Sequence, residues 1–155
     1  MSTLLNGAGF LGTKAPLISD ITLVLILLTA MLFTVGWRLA VHRRYKAHRW
    51  VQTCAVLLNA VMVLIVMVNS YVSYILPGIP AKLGEATYGV ATIHALVGLV
   101  ALIYGVYVAL VGNKIIPKRL RFTNYKLFMR IAYTLYMVAT FLGVVVYIVF
   151  FVLDS

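Results

Sequence analysis

Four apolar runs, each about as long as a bilayer is thick, decide what this chain can fold into. Inside hydrocarbon no water pairs with backbone N–H and C=O groups, so a spanning segment must bond its own backbone, as a helix does. A helix rising 1.5 Å per residue needs roughly 20 apolar residues to cross. The runs lie at about Ile18–Val41, Val51–Ile75, Thr87–Val111 and Ile131–Leu153. They predict an all-α fold, a transmembrane four-helix bundle, with one domain over residues 18–153 behind a tail over residues 1–17. With 64% hydrophobic and 10% charged residues, the chain lacks the charge to coat a soluble domain of its 155 residues. The only base inside a run is Arg38, close enough to an end to snorkel. The first run is too long, and leads too directly into arginines, to be a cleavable leader.

The placement of charge predicts the topology. Arg38, Arg43, Arg44, Lys46 and Arg49 surround the first connection, and Lys114, Lys118, Arg119, Arg121, Lys126 and Arg130 the third. Only Lys14 and Lys82 lie elsewhere. Positive charge is retained on the cytoplasmic side, so loops 42–50 and 112–130 are expected inside and both termini outside, N-out/C-out. Asp20, Glu85 and Asp154 are all assigned to the outer face, and no span is expected to bury a carboxylate. The formal charge of +10 would suggest nucleic acid in a soluble protein. Here the bases read as topology determinants and headgroup contacts, and no nucleic-acid partner is expected. Arg43, Arg44, Arg49, Arg119, Arg121 and Arg130 are the candidates for contact with lipid headgroups or a partner. The lone Cys54 permits no internal disulfide.

Residues Gly7-Ala8-Gly9-Phe10-Leu11-Gly12 match the dinucleotide pattern G-x-G-x-x-G, but no βαβ context surrounds them and the match is set aside. The middle connection, Leu76–Ala86, is turn-rich, with Pro77 stopping the second helix. The third, Gly112–Met129, is basic and aromatic and is expected to hold a short interfacial helix. Val35-Gly36-Trp37-Arg38 and Val111-Gly112-Asn113-Lys114, followed by Tyr45-Lys46 and Tyr125-Lys126, suggest a duplicated two-helix unit.

In lipid, small and polar residues mark the faces that meet. The expected inward stripes are Thr22, Ile26, Thr29, Phe33, Gly36 and Ala40 on the first helix, and Gln52, Ala55, Asn59, Met62, Val66, Asn69 and Ser73 on the second. Ala91, His94, Gly98, Ala101, Gly105 and Ala109 serve the third, and Tyr133, Tyr136, Thr140, Gly143 and Tyr147 the fourth. For most of these, packing is the expected role.

His94 is the one histidine within a span, and ionisable groups there are costly and often functional. It lies about 10 Å below the outer boundary by helix rise. Either it is a packed residue bonded to Tyr or Asn, or it meets a cofactor such as haem or a quinone. Met67 and Tyr147 lie at similar depth as candidate cofactor ligands, and His48 is a further candidate at the other boundary. A bis-histidine haem needs two imidazoles at one depth, whereas His42 and His48 lie about 20 Å from His94. A single His94 ligand to haem iron, His94 with Met67, or a partner's ligand therefore stay open, and the cofactor is unknown with haem a candidate. No nucleophile–base set appears, and no enzymatic activity is expected.

From His48-Arg49 onward, over about residues 18–150, the sequence resembles the domain-of-unknown-function 420 family of small bacterial membrane proteins. Tyr88 and His94 resemble the family helix that opens with Tyr and holds a buried His. Arg130, Gly143 and Tyr147 follow the spacing of its last helix, and Asp20 and Gly36 suit its first. Tyr125-Lys126 stands where the family has a His-Arg pair, which marks a divergent member. The resemblance implies a prokaryotic plasma (inner) membrane and a role in maturation of haem–copper oxidases. The expected function is thus an accessory or assembly protein for a respiratory haem-containing complex, its partners being the bilayer and membrane subunits of an electron-transfer complex. A resident small subunit of a respiratory or photosynthetic complex, with or without haem or pigment, is the alternative. A small transporter is the third reading.

Overall fold

The structure is a computed structural model that describes residues 7–153; the expectation for Asp154 lies outside the described residues. Four helices, each long and apolar enough to cross a membrane, make up the fold: α1 Leu17–Val41, α2 Tyr45–Gly78, α3 Ala86–Gly112 and α4 Tyr125–Leu153. The all-α bundle and its four spans are as the apolar runs predict. The helices run past those runs, however. α2 starts at Tyr45 instead of Val51 and α4 at Tyr125 instead of Ile131, because nothing in the basic flanks breaks a helix. At the start of α4 the Asn124 side chain accepts from the Leu127 amide at 3.2 Å, a standard N-cap.

Within each hairpin, α1 with α2 and α3 with α4, the packing is extensive. Between hairpins α1 meets α4 and α2 meets α3 more sparingly. The core of α1 is Asp20, Ile26, Thr29 and Gly36, and that of α4 is Tyr136, Ala139, Gly143 and Tyr147, both close to the expected stripes. At the α1–α2 crossing a Cβ on Gly36 would come within 2.5 Å of Gln52 Nε2, so glycine sets the close approach.

The stripe on α2 holds only over its first half. Ala55 and Met62 are buried, but Asn69 and Ser73 are exposed. The cause is local: α2 is α-helical over Tyr45–Met62 and then takes π-type turns over Val63–Met67 and Tyr71–Ile75. Each π-type turn spends an extra residue, rotating later positions by about 100° relative to an unbroken 3.6-residue helix. The heptad spacing that seats Ala55 and Met62 therefore carries Asn69 and Ser73 out of the core. The small stripe on α3 also departs from expectation. A Cβ on Gly98 or Gly105 would meet nothing within 4 Å, so these glycines do not serve close helix approach.

The third connection is not an interfacial helix. It holds one 3-10 turn, Lys118–Leu120. Arg121 folds it, donating from Nε to the Ile116 carbonyl at 2.6 Å and from Nη2 to the Lys114 carbonyl at 2.9 Å. Phe122 stacks on Phe128 with ring centroids 4.0 Å apart. Guanidinium-to-carbonyl bonds and ring stacking order the chain there without helical periodicity.

The two basic connections begin with the same cap. After α1, Arg43 N–H donates to the Ala40 carbonyl and Arg44 N–H to that of Leu39; after α3, Lys114 donates to Val111 and Ile115 to Leu110. Both are Schellman motifs. Arg43 and Lys114 take the left-handed position, with φ of 59° and 62°. This supports the two-hairpin repeat but changes its register, since Lys114 corresponds to Arg43 and not to Arg38. A side chain in this conformation is strained where glycine is not. Arg43→Gly and Lys114→Gly are each expected to stabilise the purified protein by about 0.5–1 kcal/mol. Thermal unfolding in detergent reads this, with Arg44→Gly as a control that gains nothing.

Candidate functional site

Three places gather polar side chains within the bundle. The first is at the tail end. Asp20, on the first turn of α1, has no exposed surface. Its Oδ2 accepts from the Phe10 and Leu11 amides at 2.6 and 2.8 Å, and its Oδ1 from the Tyr147 hydroxyl at 2.5 Å. A phenol has one proton, so Tyr147 gives it to the carboxylate and accepts in turn from Thr13 Oγ1, 2.7 Å away. The glycine motif set aside as a dinucleotide signal makes this wrap possible. Gly9 N–H donates to the Ala15 carbonyl at 3.0 Å, and a Cβ on Gly9 would lie 2.3 Å from Asp20 Oδ2. Gly12 turns the chain with φ of 73°. Two successive amides cradling a carboxylate form an anion nest filled by the protein itself.

Two expectations are corrected here. A span does bury a carboxylate, because three fixed donors replace water around Asp20. Tyr147 is not placed as a cofactor ligand, because its hydroxyl is committed to Asp20 and Thr13. The signal was present in the sequence as a glycine-rich tail just ahead of an acid, but the tyrosine that completes the site is 127 residues away from Asp20.

The second place is His94. The ring lies against α4, where a Cβ on Gly143 would be 3.1 Å from His94 Cε1 and 3.2 Å from Ile26 Cδ1. Gly143, matched in the family resemblance, thus makes room for the imidazole. The Ala139 backbone interacts with the ring, while Nδ1 is buried with no hydrogen-bond partner. Met67 is half-buried in the first π-type stretch of α2, and among the described residues no group of three or more His, Cys, Asp or Glu could hold a metal.

The third place is a cavity of about 1060 Å³ at the basic end, bounded by all four helices. Phe33, Ala101, Leu102, Gly105, Ala109 and Tyr136 supply apolar wall, with Gln52 and Asn59 among them. Lys46, Arg49, Lys114, Arg121, Lys126 and Arg130 line it toward the connections. His48 also lines it, and its Nδ1 lies 2.7 Å from the Gly36 carbonyl. A carbonyl only accepts, so His48 Nδ1 carries a proton and donates it in this bond. The cavity floor is fixed by Gln52 donating to the Phe33 carbonyl at 3.2 Å and by Tyr136 donating to that of Ile26 at 3.4 Å.

Of the residues singled out in the sequence, His48, Arg49, Arg121 and Arg130 come together at this cavity. Arg43 and Arg44 line a separate shallow concavity with Trp50. Arg119 is exposed and lines neither. Gln52, Asn59, Gly105 and Tyr136, packing positions by their helical spacing, are cavity wall in the structure; such spacing marks an inward face but not whether a neighbour fills it. No family model, no curated protein and no solved structure matches this chain.

The tail clasp generates a prediction. Lys14 is exposed but is followed by buried Ala15, so cleavage after Lys14 requires the tail to open. Tyr147→Phe and Gly9→Ala are each expected to speed trypsin cleavage after Lys14 several-fold, and Tyr133→Phe to leave it unchanged. Equal rates in all variants would show that the clasp does not hold the tail.

Proposed function

We propose that this chain is a non-enzymatic accessory or assembly protein of a respiratory haem-containing membrane complex, of the haem–copper oxidase kind. The observation that carries a partner-dependent role is the outer half of α2. Asn69, Ser70 and Ser73 are exposed there, six residues or fewer from Ile75 and so within about 9 Å of the end of the apolar run by helix rise. Polar groups facing hydrocarbon lack partners, and a hydrogen bond across membrane helices is worth about 0.6–2 kcal/mol. A neighbouring membrane helix with complementary polar groups would satisfy them. The identity of the complex comes from the resemblance to the domain-of-unknown-function 420 family at His48-Arg49, Tyr88, His94, Arg130, Gly143 and Tyr147. In this reading the protein sits in a prokaryotic plasma membrane with both termini outside, as the basic loops predict.

A resident subunit of a respiratory or photosynthetic complex is the second reading, since the same polar face suits a permanent interface. A transporter gains nothing from Asp20, whose oxygens are occupied by fixed donors. Candidate haem contacts of the chain itself are His94 within the bundle and His48, which lines the cavity.

Isolation of the tagged protein in mild detergent tests the proposal. A co-purifying membrane subunit is expected, and Asn69→Leu with Ser73→Leu should lower its recovery at least tenfold while the bundle stays folded. A stoichiometric partner favours the resident subunit; loss of oxidase from membranes of a deletion strain, without a stable partner, favours assembly. Full recovery of the same partner by the double variant would show that the polar face of α2 does not hold a partner. A Soret band abolished by His48→Ala would show that this chain holds haem itself.

A further inference from the structure

The basic-end cavity carries a second inference, independent of any partner on α2. Ala101, Gly105 and Ala109 form one smooth wall along α3, and a Cβ on Gly105 would meet nothing within 4 Å. Small residues normally let membrane helices touch, yet here they hold space open. Arg49 and Asn59 both line this space and lie ten residues apart on α2, a depth of about 15 Å by helix rise. Water is held poorly by walls that are mostly apolar. Among the described residues the bases that line it have no counter-charge: residues 21–84 and 86–153 contain no acid, Asp20 is enclosed by its own donors, and Glu85 stands at the N-cap position of α3, at the opposite end. The cavity thus combines a long apolar interior with an uncompensated cationic entrance.

One kind of molecule meets both conditions. We propose that this cavity is a binding site for a single anionic phospholipid drawn from the leaflet at the basic end. Its acyl chain lies along Ala101, Gly105 and Ala109, and its phosphate meets Arg49 and Arg130. Guanidinium groups suit this role because their fixed fork of donors matches phosphate oxygens. The Nδ1–H bond from His48 to the Gly36 carbonyl fixes that ring at the same site. The stacking of Trp37 on Tyr133, with centroids 5.8 Å apart, braces the α1–α4 side of it.

The test uses the full chain, purified in a zwitterionic detergent and stripped of lipid. Phosphatidylglycerol is expected to raise Tm saturably, as a ligand of the folded state does. Phosphatidylcholine, which lacks net charge, and inorganic phosphate, which lacks a tail, are expected to leave it unchanged. Gly105→Leu fills open space, so it should keep the helical circular dichroism of the parent and lose the phosphatidylglycerol response; Ala109→Leu is a second filling variant with the same expectation. Arg49→Gln with Arg130→Gln should weaken the response about tenfold, the effect of roughly 1.4 kcal/mol. Arg119→Gln, outside the cavity, should leave it intact. An undiminished response in a folded filling variant, an equal response to phosphatidylcholine, or an equal loss in Arg119→Gln would each overturn the proposal.

Discussion

Lipid is as apolar as leucine, so the hydrophobic effect that holds a soluble bundle together does little between helices in a membrane. Here the helices are joined by a short series of polar contacts, and most end on α1. His48 and Gln52 of α2 donate to its carbonyls at Gly36 and Phe33. From α4, Tyr136 donates to Ile26, Tyr147 to Asp20, and Tyr133 pairs with Thr34. Donors from both flanking helices thus meet α1 at several levels along its length. Thr22, Thr29 and Thr34 turn their hydroxyls back onto carbonyls of their own helix, which keeps them satisfied within the interface.

By contrast α3 is fastened to α2 near its ends, through Tyr71 to Thr92 and Asn113 to Thr53. Between those points Gly98 and Gly105 face open space. The cavity at the basic end follows from this unevenness: α2 and α4 are pinned to α1, while α3, packed against α4, lines the space with Ala101, Gly105 and Ala109. At the other end the tail folds over Asp20, so the bundle is closed where its carboxylate lies and open where its cations lie. The asymmetry of charge and the asymmetry of packing coincide.

Much of this was legible in the chain itself. The stripes on α1 and α4 match the buried faces because both helices are regular over the striped positions, α4 turning π-type only from Val149, and there a spacing of three and four maps directly onto one face. The stripe on α2 failed beyond Met62 because π-type turns leave no mark in composition or hydropathy. His94 was singled out for being ionisable in a span, and the structure seats it against Gly143 with its Nδ1 sealed. Tyr147 matches His94 in depth along the sequence, yet its partner is Asp20, an acid whose position suggests the outer face. Residues far apart in sequence give no local signal of meeting.

The sequence by itself determined the number of spans, their approximate limits and the gathering of bases at two connections. These depend on hydrocarbon thickness and on the distribution of charge, which are one-dimensional properties of a chain. Only the tertiary structure decided that a glycine motif wraps Asp20, that α2 turns its polar outer face away from the core, and that a small-residue stripe lines a cavity. Each of these depends on where neighbouring helices stand and on how many residues each turn consumes. Spacing along one helix does not contain that information.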